Sequence, residues 1–232
     1  MKMSTVGIIG GIGPESTIEY YRKIVTAYYQ REANGHYPRI IINSINMKKM
    51  LDLIGSGKFD EVTQFLTAEV NKLADAGADF GLLASNTPHI VFDRVQQASS
   101  LALISIVEAT CKKTMQLGLN RVGLFGTKFT MQGGFYNGVL SKQGIEVVIP
   151  DAVDQDYIHD KYMSELVKGI VRDETRSHLL NIIDEMKHKY DLQGLILGGT
   201  ELSLILTKDD IASLPLLDTT EIHVESILEN LA

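Results

Sequence analysis

The second half of this sequence repeats the pattern of the first half, and the repeat constrains the fold more than any other feature. The run VGIIG at 6–10 returns as VGLFG at 122–126. LLASNT at 82–87 likewise returns as ILGGTE at 196–201, which pairs Ser85 with Gly199. Because a long internal repeat indicates copies of one structural unit, we expect two similar lobes related by a pseudo-two-fold axis.

Short apolar runs alternate with longer segments of helical period within the first copy. The runs TVGIIGG, RIIINSI, FGLLAS and LALISI are separated or followed by helical patterns at 14–33, 58–76 and 107–118. This alternation is typical of a parallel sheet covered by helices. We therefore predict an α/β protein with two similar three-layer α/β/α lobes and mostly parallel sheets. The first lobe is expected over 1–106 and 215–232, and the second over 107–214.

The apolar spacing of two helical segments predicts which of their faces are buried. The helix that starts at Pro14 is expected to bury Ile18, Tyr21, Val25 and Tyr28. The segment 58–76 is expected to bury one stripe formed by Val62, Phe65, Leu66, Val70 and Leu73.

Composition and charge exclude several classes of function. The chain has 232 residues, is 44% hydrophobic and carries a net charge of −7, so it can bury a core but has no excess of positive charge for nucleic acid or an anionic membrane. No apolar stretch reaches the roughly 18 to 20 residues that cross a bilayer, and no secretory signal pattern is present at the start. These features predict a cytoplasmic protein.

The one cysteine, Cys111, excludes an internal disulfide and a cysteine-based zinc cluster. It lies in a helical pattern and is interpreted as a buried, unreactive thiol. No metal site is predicted, because five histidines are not at ligand-like spacing with one another; they are His36, His159, His178, His188 and His223.

The glycine-rich stretch GIIGGIGPES has two interpretations. Glycines before a helix let backbone N–H groups approach a phosphate, which favours a nucleotide site. The dinucleotide fingerprint is incomplete, however, and the next strand, RIIINSIN, ends in asparagines where an acidic ribose-binding residue is expected. The alternative is a loop that binds another anion, such as a carboxylate.

Polar residues follow two of the predicted strands, where ligands bind in open α/β sheets. Two of these positions have alternative roles. His89 is either a general base or a hydrogen-bonded structural residue. Thr200 and Glu201 either bind substrate or cap the helix that follows.

Four segments together, GIIGGIGPEST, SNTPH, GLFGTKFTMQGGFY and LGGTEL, resemble the cofactor-independent aspartate/glutamate racemase family over essentially the full chain. The resemblance implies two α/β lobes with the active site between them. In that family one thiolate removes the α-proton and an opposite thiol supplies a proton to the other face, without pyridoxal phosphate. The two thiols lie in Cys-Asn-Thr and Cys-Thr-Glu motifs. Here their positions are Ser85 and Gly199, so the two-thiol mechanism is impossible.

The resemblance also implies a set of substrate-binding residues. They come from the first loop, from the two strand ends, from the corresponding loop of the second lobe and from a lysine that meets the acidic side chain of the substrate. In this sequence they are Gly11, Ile12, Gly13, Thr17, Asn86, Thr87, Thr127, Thr130, Lys168, Thr200 and Glu201.

The function that the resemblance implies is that of a homodimeric isomerase, an amino-acid racemase of the aspartate/glutamate type without a cofactor or metal. If it is catalytic, Ser85 serves one face, with His89, Glu201 or an ordered water as further proton carriers, and proton exchange is one-sided. The alternative is a non-catalytic binding protein for a small carboxylate or amino acid. A third hypothesis, an oxidoreductase with a nucleotide site, predicts affinity for NAD(P).

Overall fold

The computed structural model describes residues 4–32, 35–211 and 214–231, and the chain divides into two compact units. The first unit consists of 1–106 and 223–232, and the second of 107–222. Each unit contains one four-stranded sheet, and every strand pair in both sheets is parallel. The predicted α/β class with two similar lobes is confirmed. No helix in the described part of the chain has the length and apolar character needed to cross a membrane.

The first unit has the strand order β2-β1-β3-β4. The six residues of β1 are all buried, as expected for a central parallel strand with both faces covered. The elements are β1 (Thr5–Gly10), α1 (Pro14–Arg31), β2 (Arg39–Ser44), α2 (Met47–Gly55), α3 (Phe59–Asp75), β3 (Phe80–Leu83), a 3-10 helix (Thr87–Val91), α4 (Phe92–Ala98) and β4 (Leu103–Ile104).

The second unit has the strand order β6-β5-β7-β8, so its strands take the same order as their counterparts in the first unit. This shared order is the structural basis of the sequence repeat. The helices and strands, together with the helix that ends the chain, are α5 (Ile106–Gln116), β5 (Arg121–Gly126), α6 (Lys128–Gln132), α7 (Phe135–Leu140), β6 (Glu146–Val148), α8 (Ala152–Ser164), α9 (Asp173–Tyr190), β7 (Gly194–Gly198), β8 (Leu216–Asp218) and α10 (Thr219–Asn230). Among the residues described in this unit, short 3-10 helices lie at Ser141–Gln143, Leu166–Lys168 and Leu202–Leu204.

The boundary predicted near the end of the chain requires a correction. Residues 215–232 were assigned to the first lobe, but β8 pairs with β7 in the second sheet, with Leu217 opposite Ile196. The chain rejoins the first unit only from His223. The C-terminal half of α10 then packs Val224, Ile227 and Leu228 into the core of the first unit.

The buried face of α1 also differs from the prediction. Helix α1 buries Tyr20, Ile24 and Tyr28, whereas Ile18 is 58% exposed and Tyr21 is 49% exposed. Two apolar rows compete on this helix, and tertiary packing selects the row that joins the core of the first unit. The Tyr20 hydroxyl also hydrogen-bonds His223 Nδ1 at 2.8 Å. The stripe on α3 is as predicted except at Phe65, which is only half-buried.

Candidate active site

The loop between β1 and α1 holds the first group of predicted site residues. Gly11 and Gly13 have φ angles of 76° and 86°, which lie in the left-handed region that favours glycine. Thr17 closes the loop: its hydroxyl accepts a hydrogen bond from Gly11 N–H at 2.8 Å and donates to the Gly13 carbonyl at 3.3 Å. Ile12, between the glycines, is buried. The side chain of Thr17 therefore sets the shape of this loop.

A buried hydrogen bond connects this loop region to the end of β3. The hydroxyl of Ser16, in the first turn of α1, donates to the carbonyl oxygen of Ala84 at 2.7 Å. Ala84 directly precedes Ser85, so the first loop and the SNTPH segment are held together inside the first unit.

At the end of β3, Ser85 is half-buried, whereas Asn86 and Thr87 are buried. Within the ranges that the structure describes, the Ser85 hydroxyl makes no hydrogen bond, so no neighbouring group activates it as a base. A serine hydroxyl needs such an activator to act as an efficient nucleophile or base.

His89 resolves the choice between a general base and a structural residue. Its Nδ1 donates to the Ser85 carbonyl oxygen at 3.0 Å, and its Nε2 accepts from the Ile106 N–H at 3.3 Å, an arrangement that requires the neutral ring. The ring also stacks on Phe92, with centroids 4.8 Å apart. Burial, reinforced by the nearby His223, lowers the pKa of His89 to about 3. With both nitrogens engaged by backbone, His89 is a structural residue rather than a free proton carrier.

In the second unit, Thr127 and Thr130 follow β5 and bond to each other. Thr127 caps α6, since its hydroxyl oxygen accepts from the Thr130 N–H at 3.2 Å, and the two hydroxyl oxygens are 3.1 Å apart. Both residues are buried. Their side chains stabilise the turn that follows β5.

The resemblance places the second thiol at position 199, and the ring of Tyr162 occupies the space that a side chain at this position would need. A Cβ added to Gly199 would overlap Cε2 of Tyr162 and lie 3.0 Å from its Cζ and 3.1 Å from its hydroxyl oxygen. The φ angle of Gly199 lies outside the left-handed region, so it is the ring of Tyr162, and not backbone conformation, that excludes a side chain.

Tyr162, Thr200 and Glu201 form a buried hydrogen-bonded cluster at the end of β7. The Tyr162 hydroxyl donates to Glu201 Oε2, and the Thr200 hydroxyl donates to the same oxygen at 2.6 Å. All three residues are at most 7% exposed. Burial, together with the charge of Glu201, raises the pKa of Tyr162 well above its usual value, so the phenol remains a hydrogen-bond donor.

The side chain of Glu201 does not cap the 3-10 helix Leu202–Leu204, although the residue occupies the N-cap position. This answers the question that the sequence left open for Glu201: the carboxylate is held by hydroxyl groups and not by the start of a helix. Sequence reasoning missed Tyr162, because nothing in the spacing of α8 connects this tyrosine to Gly199.

The structure does not bring Lys168 into this cluster. Lys168 ends the 3-10 helix Leu166–Lys168, is exposed, and makes no ion pair within the described ranges. Cys111 is buried in α5, and burial, followed by the nearby Glu108, raises the pKa of its thiol, as expected for an unreactive cysteine. Among the described residues, no three His, Cys, Asp or Glu side chains are grouped as a metal site.

The family model for Asp/Glu/hydantoin racemases matches residues 9–227, which include both strand ends described above. The chain belongs to this racemase family. The predicted resemblance is confirmed.

Relatives of this racemase family cover nearly the whole chain. The broad specificity amino-acid racemase RacX of Bacillus subtilis (strain 168) is 28% identical, covering 93% of this chain and 92% of its own. A crystal structure of a proposed Asp/Glu racemase from Yersinia pestis is 34% identical, with a TM-score of 0.89 and 99% of each chain covered. An aspartate racemase homologue from Pyrococcus horikoshii OT3 is 32% identical, with a TM-score of 0.85 and the same coverage.

Proposed function

We propose that this protein is an amino-acid racemase of the aspartate/glutamate type that needs no pyridoxal phosphate and recognises a small acidic amino acid. Family membership supports the reaction class. The observation that carries the proposal is Glu201, a buried carboxylate whose hydrogen-bond donors are two hydroxyl groups.

A buried carboxylate is costly unless a cation or several donors compensate its charge. The hydroxyl groups of Tyr162 and Thr200 both donate to Oε2, and hydroxyl groups do not neutralise charge. In the part of the chain that the structure describes, no lysine, arginine or histidine pairs with Glu201. We infer that the α-ammonium group of an amino acid supplies the missing positive charge, at the second oxygen, Oε1.

The remaining residues are assigned to the acidic groups of the substrate. The backbone of the loop at Gly11, Ile12 and Gly13 suits a carboxylate better than a dinucleotide, since the acidic ribose-binding residue is missing. Asn86 and Thr87 also stay proposed contacts, as do Thr17, Thr127 and Thr130. Lys168 is proposed to meet the side-chain carboxylate, and the homodimer and cytoplasmic location also stay predictions.

Proton transfer in this site proceeds without thiols in our proposal. Position 199 carries no side chain, and the Ser85 hydroxyl is a weak base without an activator. We expect hydroxyl groups and water to exchange the α-proton slowly. Exchange should be faster than racemisation, because only position 85 of the two thiol positions carries a side-chain hydroxyl.

The experiment is to incubate L- and D-aspartate and L- and D-glutamate with the protein in D₂O. We expect loss of the α-proton signal in proton NMR, with slower appearance of the other enantiomer by chiral chromatography. Glu201→Gln should abolish the exchange, because the amide keeps the shape of the side chain but loses the charge. Glu174→Gln, an exposed position at the start of α9, is the matched control and should exchange like wild type.

A second candidate function is favoured by the Tyr162 ring at position 199: a binding protein that keeps the amino-acid site and has lost proton transfer. Calorimetric binding of aspartate or glutamate without any α-proton exchange would establish this function and reject the racemase. If NAD(P) binds and the acidic amino acids do not, both proposals are wrong and the oxidoreductase hypothesis is supported.

A further inference from the structure

Tyr162 is the one residue of the β7 cluster that neither the repeat nor the family motifs identify. It projects from α8, and its ring fills the space that a side chain at position 199 would need. Its hydroxyl oxygen lies 3.1 Å from the ideal Cβ position of residue 199, so a polar group stands close to where a cysteine side chain would begin.

The same ring position gives Glu201 one of its two donors. A side chain at 199 would force the ring to shift, and that shift would strain the Tyr162–Glu201 hydrogen bond. Gly199 and Tyr162 are therefore matched, since the ring takes this position without a steric overlap only where residue 199 has no Cβ.

The two hydroxyl donors also determine which carboxylate oxygen of Glu201 remains available to a ligand. Both hydroxyl groups bond to Oε2, and in the described ranges Oε1 has no hydrogen-bond partner. Two donors on one oxygen fix the rotation of the carboxylate group, so that Oε1 has one defined direction. A charged oxygen with a fixed direction binds an ammonium group more tightly than a rotating one, because the carboxylate loses less conformational entropy when the ligand binds.

We propose that Tyr162 is a positioning residue that occupies the place of the second thiol and holds Glu201 for the ammonium group of the substrate. The inference rests on the proposed recognition of an amino acid. In this proposal, a group that positions the ammonium-binding carboxylate stands where the family has a proton-carrying thiol. Selectivity for amino acids over dicarboxylates without an ammonium group then depends on Tyr162.

The test compares ligands that differ only in the ammonium group. The binding of L- and D-aspartate and of succinate is measured by calorimetry for wild type, Tyr162→Phe and Tyr157→Phe. Phenylalanine keeps the ring at position 199 and removes only the hydroxyl. Tyr157 lies on the same helix, outside the cluster, so Tyr157→Phe is the matched control.

For Tyr162→Phe we expect the Kd of aspartate to rise roughly tenfold or more, because a hydrogen bond to a charged group is lost, while the Kd of succinate changes less than about twofold. Tyr157→Phe should change neither value. Equal weakening of both ligands, or unchanged aspartate binding, would overturn the role of Tyr162 and leave the proposed function standing. Wild-type protein that binds neither aspartate nor glutamate would overturn both.

A second measurement examines the Tyr162–Glu201 pair without any ligand. In an ultraviolet titration of the tyrosines, wild type should retain two phenols that resist ionisation at high pH, because burial raises the pKa of both Tyr162 and Tyr136. Glu201→Gln should let the Tyr162 phenol ionise at lower pH, because the neighbouring negative charge is gone. The Tyr162 phenol should be missing from the titration of Tyr162→Phe, while that of Tyr136 remains. Identical titrations of wild type and Glu201→Gln would show that the pair does not form, and would overturn the inference.

Discussion

The ends of β3 and β7 occupy equivalent places in two sheets of the same strand order, yet their chemistry differs. After β3, a neutral histidine, His89, bonds backbone groups through both ring nitrogens, and Ser85 stays half-buried. After β7, the buried carboxylate of Glu201 accepts hydrogen bonds from two hydroxyl groups, and the missing side chain of Gly199 leaves room for the ring of Tyr162. The repeat has kept the topology of the strand ends and not their chemistry.

The difference shows which strand end is organised for structure and which for a ligand. A neutral imidazole with both nitrogens satisfied has no unmet interaction. A buried carboxylate without a cationic partner still has an unmet interaction, because hydrogen bonds from hydroxyl groups do not neutralise its charge. We therefore expect the β3 end to respond to mutation mainly in stability and the β7 end mainly in binding.

The largest expected effect comes from His89→Leu. The substitution removes the hydrogen bonds to the Ser85 carbonyl and the Ile106 N–H, and losing two buried bonds should lower the free energy of unfolding by roughly 2 to 4 kcal/mol. Urea denaturation measures this change. His188→Leu, at an exposed histidine on α9, should cost far less. Equal costs for the two variants would show that His89 does not hold the β3 end.

An intermediate effect is expected from Gly199→Ala, because the new Cβ meets the ring of Tyr162. Such overpacking should cost about 1 to 3 kcal/mol of stability, and less in a Tyr162→Leu background, where the ring is absent. Thermal or urea unfolding of the four proteins gives the coupling energy. Gly138→Ala, where an added Cβ meets nothing within 4 Å, is the control and should change stability by less than about 1 kcal/mol. Additive effects would contradict the contact between residues 162 and 199.

The smallest expected effect is on pH dependence, and it concerns the β3 side. Burial lowers the pKa of His89 to about 3 and that of His223 to about 4, so both stay neutral in the folded protein while the unfolded chain binds protons below about pH 6.5. Stability should be complete above that pH and fall as the pH drops towards these two values. Between pH 7 and pH 6 we expect a loss of about 1 kcal/mol by urea denaturation.

His188→Asn, which removes one exposed histidine on α9, is the control variant for this pH dependence. His223→Gln should reduce the slope between pH 7 and pH 6. A slope that is the same in His223→Gln and in wild type would contradict the assignment to the buried histidines.

Much of the fold could be predicted, because it depends on local pattern. The runs at 6–10 and 122–126 form the central strands β1 and β5, and the buried stripe of α3 follows its apolar spacing. The face of α1 could not be predicted, since two apolar rows fit the helical period and only packing against the rest of the first unit decides between them. Short β8 was assigned to the wrong lobe, because three residues carry too little pattern to identify their sheet.

The sequence by itself determined that this chain consists of two α/β copies, that polar residues follow their strands, and that neither family thiol is present at Ser85 and Gly199. These properties follow from the spacing of apolar residues and from residue identity, both of which are visible in the sequence. Only the tertiary structure decided that Tyr162 fills the space at Gly199 and holds Glu201. Contacts between residues distant in sequence depend on how helices pack against sheets, and side-chain periodicity carries no information about that distance.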